Sequence, residues 1–195
     1  MKRKKKRNDA VREGKHRQGK APGAKENETI SFFKSNYQYT STQKRFGLCD
    51  DSPPPHKPAY LDEKDGYKWI ATVVNDMQLS VTFVALDNSN IVLRRSDGKI
   101  DRCSDGMLVY DVSAIAFVEL TTAMNKNWRN DKYGQLRTTI EHFERTEDAG
   151  RFVIKKAFIA NSSQPKAPSS HLIKMERFME ETGYVLEIKH IIEVS

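Results

Sequence analysis

Cysteine is scarce in this chain. Two residues, Cys49 and Cys103, cannot build a disulfide framework or supply a four-ligand zinc site by themselves. A reducing compartment is the simple expectation. Long apolar runs are missing as well. The longest, residues 114–118, is strand-sized, far short of the roughly 20 residues that cross a bilayer. Lysine and arginine open the chain, but no apolar segment of a secretory signal follows them. These absences lead to the expectation of an intracellular, cytoplasmic protein with no membrane partner. The chain also has no Walker A loop, no Gly-x-Gly-x-x-Gly and no Gly-x-Ser-x-Gly elbow. Nucleoside-triphosphate hydrolysis, dinucleotide redox chemistry and serine-hydrolase chemistry therefore have no support. His16, His56, His142, His171 and His190 show no ligand spacing with one another or with the cysteines.

Charge, by contrast, is abundant and unevenly placed. Of 195 residues, 30% are charged and only 37% hydrophobic, which points to an unfolded portion beside a folded one. Residues 1–27 hold eleven Lys/Arg against three acids, and residues 28–195 hold 22 against 23. The net charge of +7 thus belongs to the N-terminal segment. Residues 1–29 lack hydrophobic periodicity and read as a disordered basic tail. Its run of Lys4, Lys5 and Lys6 either attracts nucleic-acid phosphates without reading sequence or simply keeps the chain soluble. Residues 30–60 read as a Pro-rich docking arm or linker, in which Phe32, Phe33, Tyr37 and Tyr39 can dock on the core and 53–55 and 58 are prolines. Residues 61–195 read as the folded domain, which is long enough to bury a core of its own.

Within that domain, residues 62–74 carry Tyr67, Ile70, Val73 and Val74 at helical spacing. Residues 79–86 alternate as a strand, and 91–95 read as a second strand before the Asp97-Gly98 turn. Strands follow at 107–110 and 114–120. A helix is predicted over 131–145 from the stripe Tyr133, Leu136, Ile140 and Phe143. A strand over 152–160, a helix capped by Ser169 or Ser170 and stopped at Gly183, and one last strand over 185–194 complete the order. This order predicts an α/β or α+β sandwich around one mixed sheet.

Two acids stand out against this pattern. Asp105 enters one apolar strand, and Glu119 lies inside the next, in the run Ala-Phe-Val-Glu-Leu. A hairpin between them brings the two together. A glutamate in so apolar a strand is costly unless something pairs with it. A divalent cation held by Asp105, Glu119 and the carbonyl of Leu120 would offset that cost, and two carboxylates with waters and a phosphate suit Mg²⁺ or Mn²⁺. Alternatively, Asp105-Gly106 is only a turn and Glu119 pairs with Arg102, Lys99 or Arg137. Asp101 is a neighbouring acid that can replace or assist Asp105. Trp128 and Arg129 can contact a nucleic acid or cover the core edge, and Lys155 with Lys156 can line a groove or mark a solvent face.

The series Asp-Gly-apolar strand, apolar-Glu-Leu, then a helix bearing Gln135 resembles the PD-(D/E)XK nuclease superfamily over about residues 62–160. The resemblance implies a restriction-endonuclease-like mixed central sheet flanked by helices. It further implies metal-dependent hydrolysis of DNA phosphodiesters, with Asp105 and Glu119 as metal ligands and Gln135 as the helix glutamine. A homodimer is a possible assembly. The family's lysine, two residues after the second acid, is Thr121 here, and the position four beyond Gln135 is Thr139. Either the lysine has moved, with Lys126 the first choice ahead of Lys132 and Lys99, or the scaffold is a catalytically degenerate module that binds nucleic acid or protein. Arg129, Lys155 and the tail lysines are the expected nucleic-acid contacts.

Overall fold

The fold was read from a computed structural model that describes residues 30–51, 55–123, 128–163 and 172–195. The tail, with Lys4, Lys5 and Lys6, lies outside the described residues, as do Lys126 and the helix-capping serines 169 and 170.

Two runs rich in β-branched and aromatic residues, 81–85 and 106–121, build the centre of the molecule. β5 (Val81–Ala85), β6 (Gly106–Tyr110) and β7 (Ala114–Thr121) form an antiparallel meander. From β7 the chain crosses through α1 (Trp128–Phe143) to β8 (Ile154–Asn161), parallel to β7. It then crosses through α2 (Leu172–Thr182) to β9 (Val185–Ile188), parallel to β8. Parallel neighbours need such crossovers. β1 (Gln38–Ser41) closes the far edge against β5, so the central sheet runs β1-β5-β6-β7-β8-β9.

Both faces of this sheet are covered. Alternate residues of β7 divide between them. Ile115 and Phe117 pack with Leu136, Ile140 and Phe143 of α1 and Phe178 of α2. Ala114, Ala116, Val118 and Leu120 pack against a second sheet. That sheet has the order β10-β4-β2-β3, formed by β2 (Arg45–Cys49), β3 (Tyr60–Asp62), β4 (Ala71–Val74) and β10 (Ile191–Glu193). The layers are therefore helices, central sheet and second sheet, a mixed α/β arrangement; the single mixed sheet flanked by helices that the sequence predicts gives way to two sheets, with helices on one face of the central sheet and the second sheet on the other. Among the described residues no helix is long and apolar enough to cross a membrane.

Four further sequence expectations change. The helix expected over 62–74 is replaced by β3, a 3-10 turn (Gly66–Lys68) and β4. Asp62 Oδ2 accepts from the Asp65 amide and from Trp69 Nε1, each at 2.8 Å, and the Asp65 side chain accepts from the Tyr67 amide at 3.0 Å. Such local bonds offer the backbone an alternative to the helix, and Thr72, Val73 and Val74 favour a strand. Tyr67, a member of the presumed stripe, is 95% exposed. The strand expected over 91–95 is reduced to a single bridge between Arg94 and Ile100.

The single strand expected over 185–194 is two strands. β9 stays in the central sheet while β10 pairs with β4 in the other. Finally, residues 30–51 are part of the fold rather than a linker. Phe32 does dock, buried against Phe117 and Phe143, but β1 also extends the central sheet and β2 sits between β4 and β3 in the second.

Candidate active site

The alternation that sends Phe117 toward the helices sends Glu119 the same way, at the end of β7 where the chain turns toward α1. The residue is fully buried. In the β6–β7 ladder Gly106 pairs with Val118, so Asp105 stands just beyond that pair, beside Glu119. Gly106 belongs to a strand, not to a hairpin turn. A Cβ there would lie 2.5 Å from the Phe83 ring and 2.7 Å from the Val84 carbonyl oxygen. Only glycine lets β6 approach β5 this closely. Asp105 Oδ2 accepts the Leu120 amide at 2.6 Å, and the Asp105 carbonyl accepts from Leu86 at 3.0 Å. The acid is thereby fixed to both neighbouring strands.

The N-terminal end of α1 brings Lys132 into this pair. Its Nζ lies 2.6 Å from Glu119 Oε2 and 3.9 Å from Asp105 Oδ2. Glu119 Oε1 is buried and has no hydrogen-bond partner among the described residues. The same sheet-facing stripe of α1 carries Gln135 and Thr139. Gln135 Nε2 donates to the Cys103 carbonyl at 3.4 Å, and Thr139 Oγ1 accepts from the Ser104 amide at 2.7 Å while donating to the Gln135 carbonyl at 2.8 Å. These two residues therefore hold residues 103 and 104, the segment that delivers Asp105. A threonine fits at 139 because the helix lies close enough to the chain for a short side chain to bond to it.

Burial dominates the electrostatics. It pushes the Asp105 carboxyl up to about 6, against the opposing pull of Lys132 and the Leu120 amide, and Asp50 and Asp87 push it in the same direction. Burial and the neighbouring Asp105 hold Glu119 well above the usual carboxylate range, with Lys132 opposing. Burial works against the charge on Lys132, but Asp105, Glu119 and Asp50 outweigh it and hold the ammonium above its ordinary pKa. Asp87, at the end of β5, and Asp50, at the end of β2, are thus electrostatic members of the site that sequence reading missed. Asp87 looked like turn chemistry, and Asp50 lay in the presumed linker. Cys103 places its Sγ 3.9 Å from Asp87 Oδ1. Burial, Asp87, Glu119 and Asp105 push its thiol up to about 12, so it is not a ready nucleophile.

Of the predicted residues, Asp105, Glu119, Leu120 and Gln135 come together. The cation that meets Glu119 is Lys132; Lys99 pairs with Asp97, and Arg137 with Glu181 and Glu141. Asp101 is engaged by His142 at 3.1 Å and Arg95 at 3.3 Å, not by the Asp105–Glu119 pair. Arg129 lies in the first turn of α1, half-buried. Lys155 is held apart from the site. It pairs with Ile115 in the β7–β8 ladder, four residues before Glu119, or about 13 Å along the strand. Its Nζ donates to Glu144 at 2.7 Å. The Trp128 side chain lies outside the described residues. Among the described residues no three His, Cys, Asp or Glu side chains converge as a metal-binding group. No family model, curated protein or solved structure matches the chain.

Proposed function

We propose that the chain is a metal-dependent nuclease hydrolysing DNA phosphodiesters, on a restriction-endonuclease-like scaffold in which Lys132 takes the part of the lysine missing at Thr121. The observation that carries this reading is the meeting of Asp105, Glu119 and Lys132, from two adjacent strands and the following helix, around a buried carboxylate oxygen without a partner. The run of antiparallel β5, β6 and β7, then α1, then parallel β8 supports it.

The donor set fits a hard cation. Glu119 Oε1, the second oxygen of Asp105 and the Leu120 carbonyl would hold Mg²⁺ or Mn²⁺. When bound, such an ion neutralises phosphate charge and lowers the pKa of water. The protein's own residues do the rest. The Leu120 amide fixes Asp105, and Gln135 and Thr139 fix the chain ahead of it. Lys132 holds its proton beside the carboxylates, where an ammonium can orient water and stabilise charge developing on phosphate oxygens.

A second reading has its own observation. The 2.6 Å pair between Lys132 and Glu119 already neutralises the buried acid, as expected of a degenerate module that binds nucleic acid without cutting it. Cleavage of supercoiled plasmid and single-stranded DNA with Mg²⁺ or Mn²⁺ separates the two. Nuclease activity predicts metal-dependent nicking that EDTA and Glu119→Ala abolish and Lys132→Ala lowers at least a hundredfold. Well-folded wild type that never nicks would leave the binding module.

A further inference from the structure

The acids around Lys132 repel a phosphodiester backbone, so a substrate strand needs cations elsewhere. Residues 28–195 as a whole do not supply them, with 22 Lys/Arg against 23 acids. A groove among the described residues departs from that balance. α1 and α2 leave between them a groove of about 240 Å³ lined by Arg137, Lys174, Arg177 and a single acid, Glu181. On α1 it is lined by Asn130, Tyr133, Gly134 and Arg137, the side of the helix turned away from Lys132, Gln135 and Thr139 at 3.6 residues per turn.

We infer that this groove, on the far side of α1 from the candidate active site, seats the phosphodiester backbone of a nucleic-acid strand; the inference goes beyond the nuclease reading and does not depend on cleavage. Glu181 holds two guanidiniums in place, Arg177 Nε at 2.7 Å and Arg137 at 3.4 Å. Arg137 also faces Glu141 at 3.7 Å, so two carboxylates hold the two guanidiniums, which pre-organises them for phosphate oxygens, and the positive charge left over is that of Lys174. Lys174 reaches across from α2 to Asn130 Oδ1 at 2.8 Å, a neutral partner that leaves its charge unspent. The floor is aromatic. Tyr133 and Phe178 lie 6.3 Å apart, and the Tyr133 hydroxyl is buried with no hydrogen-bond partner among the described residues.

Gly134 gives a further sign. It sits in the middle of α1, where glycine costs about 1 kcal/mol relative to alanine, yet nothing lies within 4 Å of the Cβ it lacks. Packing does not require glycine there. Its effect is to leave bare backbone on the groove wall, as close approach of a ligand does require. The volume is smaller than the roughly 300–1,000 Å³ of small-molecule sites. It suits one sugar-phosphate unit of a passing strand better than a free metabolite.

The test is binding of labelled 20-mers (single-stranded DNA, duplex DNA and RNA) to the full chain in EDTA, by fluorescence anisotropy across a salt series. Compared are wild type, Gly134→Glu and Lys174→Glu/Arg177→Glu. Lys174 and Arg177 are exposed, so the double variant keeps its fold even where Gly134→Glu does not. The expected result is a Kd raised at least tenfold for one of the nucleic acids, and a plot of log K against log salt shallower by about 1.5–2 for the double variant. The preferred probe then identifies the strand type. Variants that bind with wild-type affinity and salt slope overturn the inference, as does wild type that binds none of the probes. Cleavage is scored separately. Groove-dependent binding without cleavage refutes the nuclease reading alone. Cleavage that survives in both groove variants with unchanged binding refutes the groove alone.

Discussion

Asp105 carries its charge at a cost that pH exposes. Its carboxyl sits near 6 in the fold against about 3.9 in an unfolded chain. A carboxyl raised in the folded state holds its proton more tightly there than in the unfolded chain. Its contribution is therefore most favourable below about pH 4 and is lost as pH rises through about 6. A shift of this size corresponds to roughly 3 kcal/mol. Asp105→Asn keeps an acceptor for the Leu120 amide and removes the titration. Chemical denaturation in EDTA from pH 4 to 8 should show the variant gaining stability relative to wild type as pH rises, by up to about 3 kcal/mol. A constant difference across that range would count against the buried, raised carboxyl. Sequence reading reached both acids because a glutamate among Ala, Phe, Val and Leu is anomalous in any strand. It put Lys126 ahead of Lys132 and Lys99, whereas the lysine that meets Glu119 among the described residues is Lys132, because that meeting depends on where the N-terminal end of α1 lies against β7.

At the scale of elements, the close contact of β5 and β6 depends on Gly106. A methyl there meets the Phe83 ring, which can shift, and the Val84 carbonyl, which belongs to the neighbouring strand's backbone. Gly106→Ala should cost about 1–3 kcal/mol in equilibrium unfolding and displace Asp105 next to it. A variant as stable as wild type would show that β5 yields easily. The helix stop at Gly183 was legible because the left-handed conformation favours glycine, and its φ is +77°. The helix expected over 62–74 was not, because its apolar spacing fits a helix while its aspartates bond to nearby amides and Trp69. Nor did the apolar run of 185–194 show that Lys189 and His190 divide it between two sheets.

For the whole molecule, the N-terminal portion is the main revision. Phe32 fills the helix-side core, β1 closes an edge of the central sheet, and β2 joins β4 to β3. A chain starting at Leu61 loses all three, together with the buried Phe46 and Leu48. It should lack a cooperative thermal transition by circular dichroism and be digested readily by protease. In the full chain, Phe32→Ala should cost about 3–5 kcal/mol. A well-folded fragment 61–195 would restore the reading of residues 30–60 as a linker. Asp50 reaches the neighbourhood of Lys132 on the same portion, so the fragment would also lose a charge from the site.

The sequence by itself determined the uneven charge, the strand alternation of β5 to β8, the two main helices and the pair of acids on adjacent strands. All of these follow from local periodicity, turn chemistry and the cost of burying a charge, which a short window of residues expresses. Only the tertiary structure decided that Lys132 meets Glu119, that Asp50 and Asp87 add their charge, that residues 185–194 serve two sheets and that Arg137, Lys174 and Arg177 share a groove. Those outcomes depend on contacts between distant segments. Their geometry is set by how helices and sheets stack, and no local pattern encodes it.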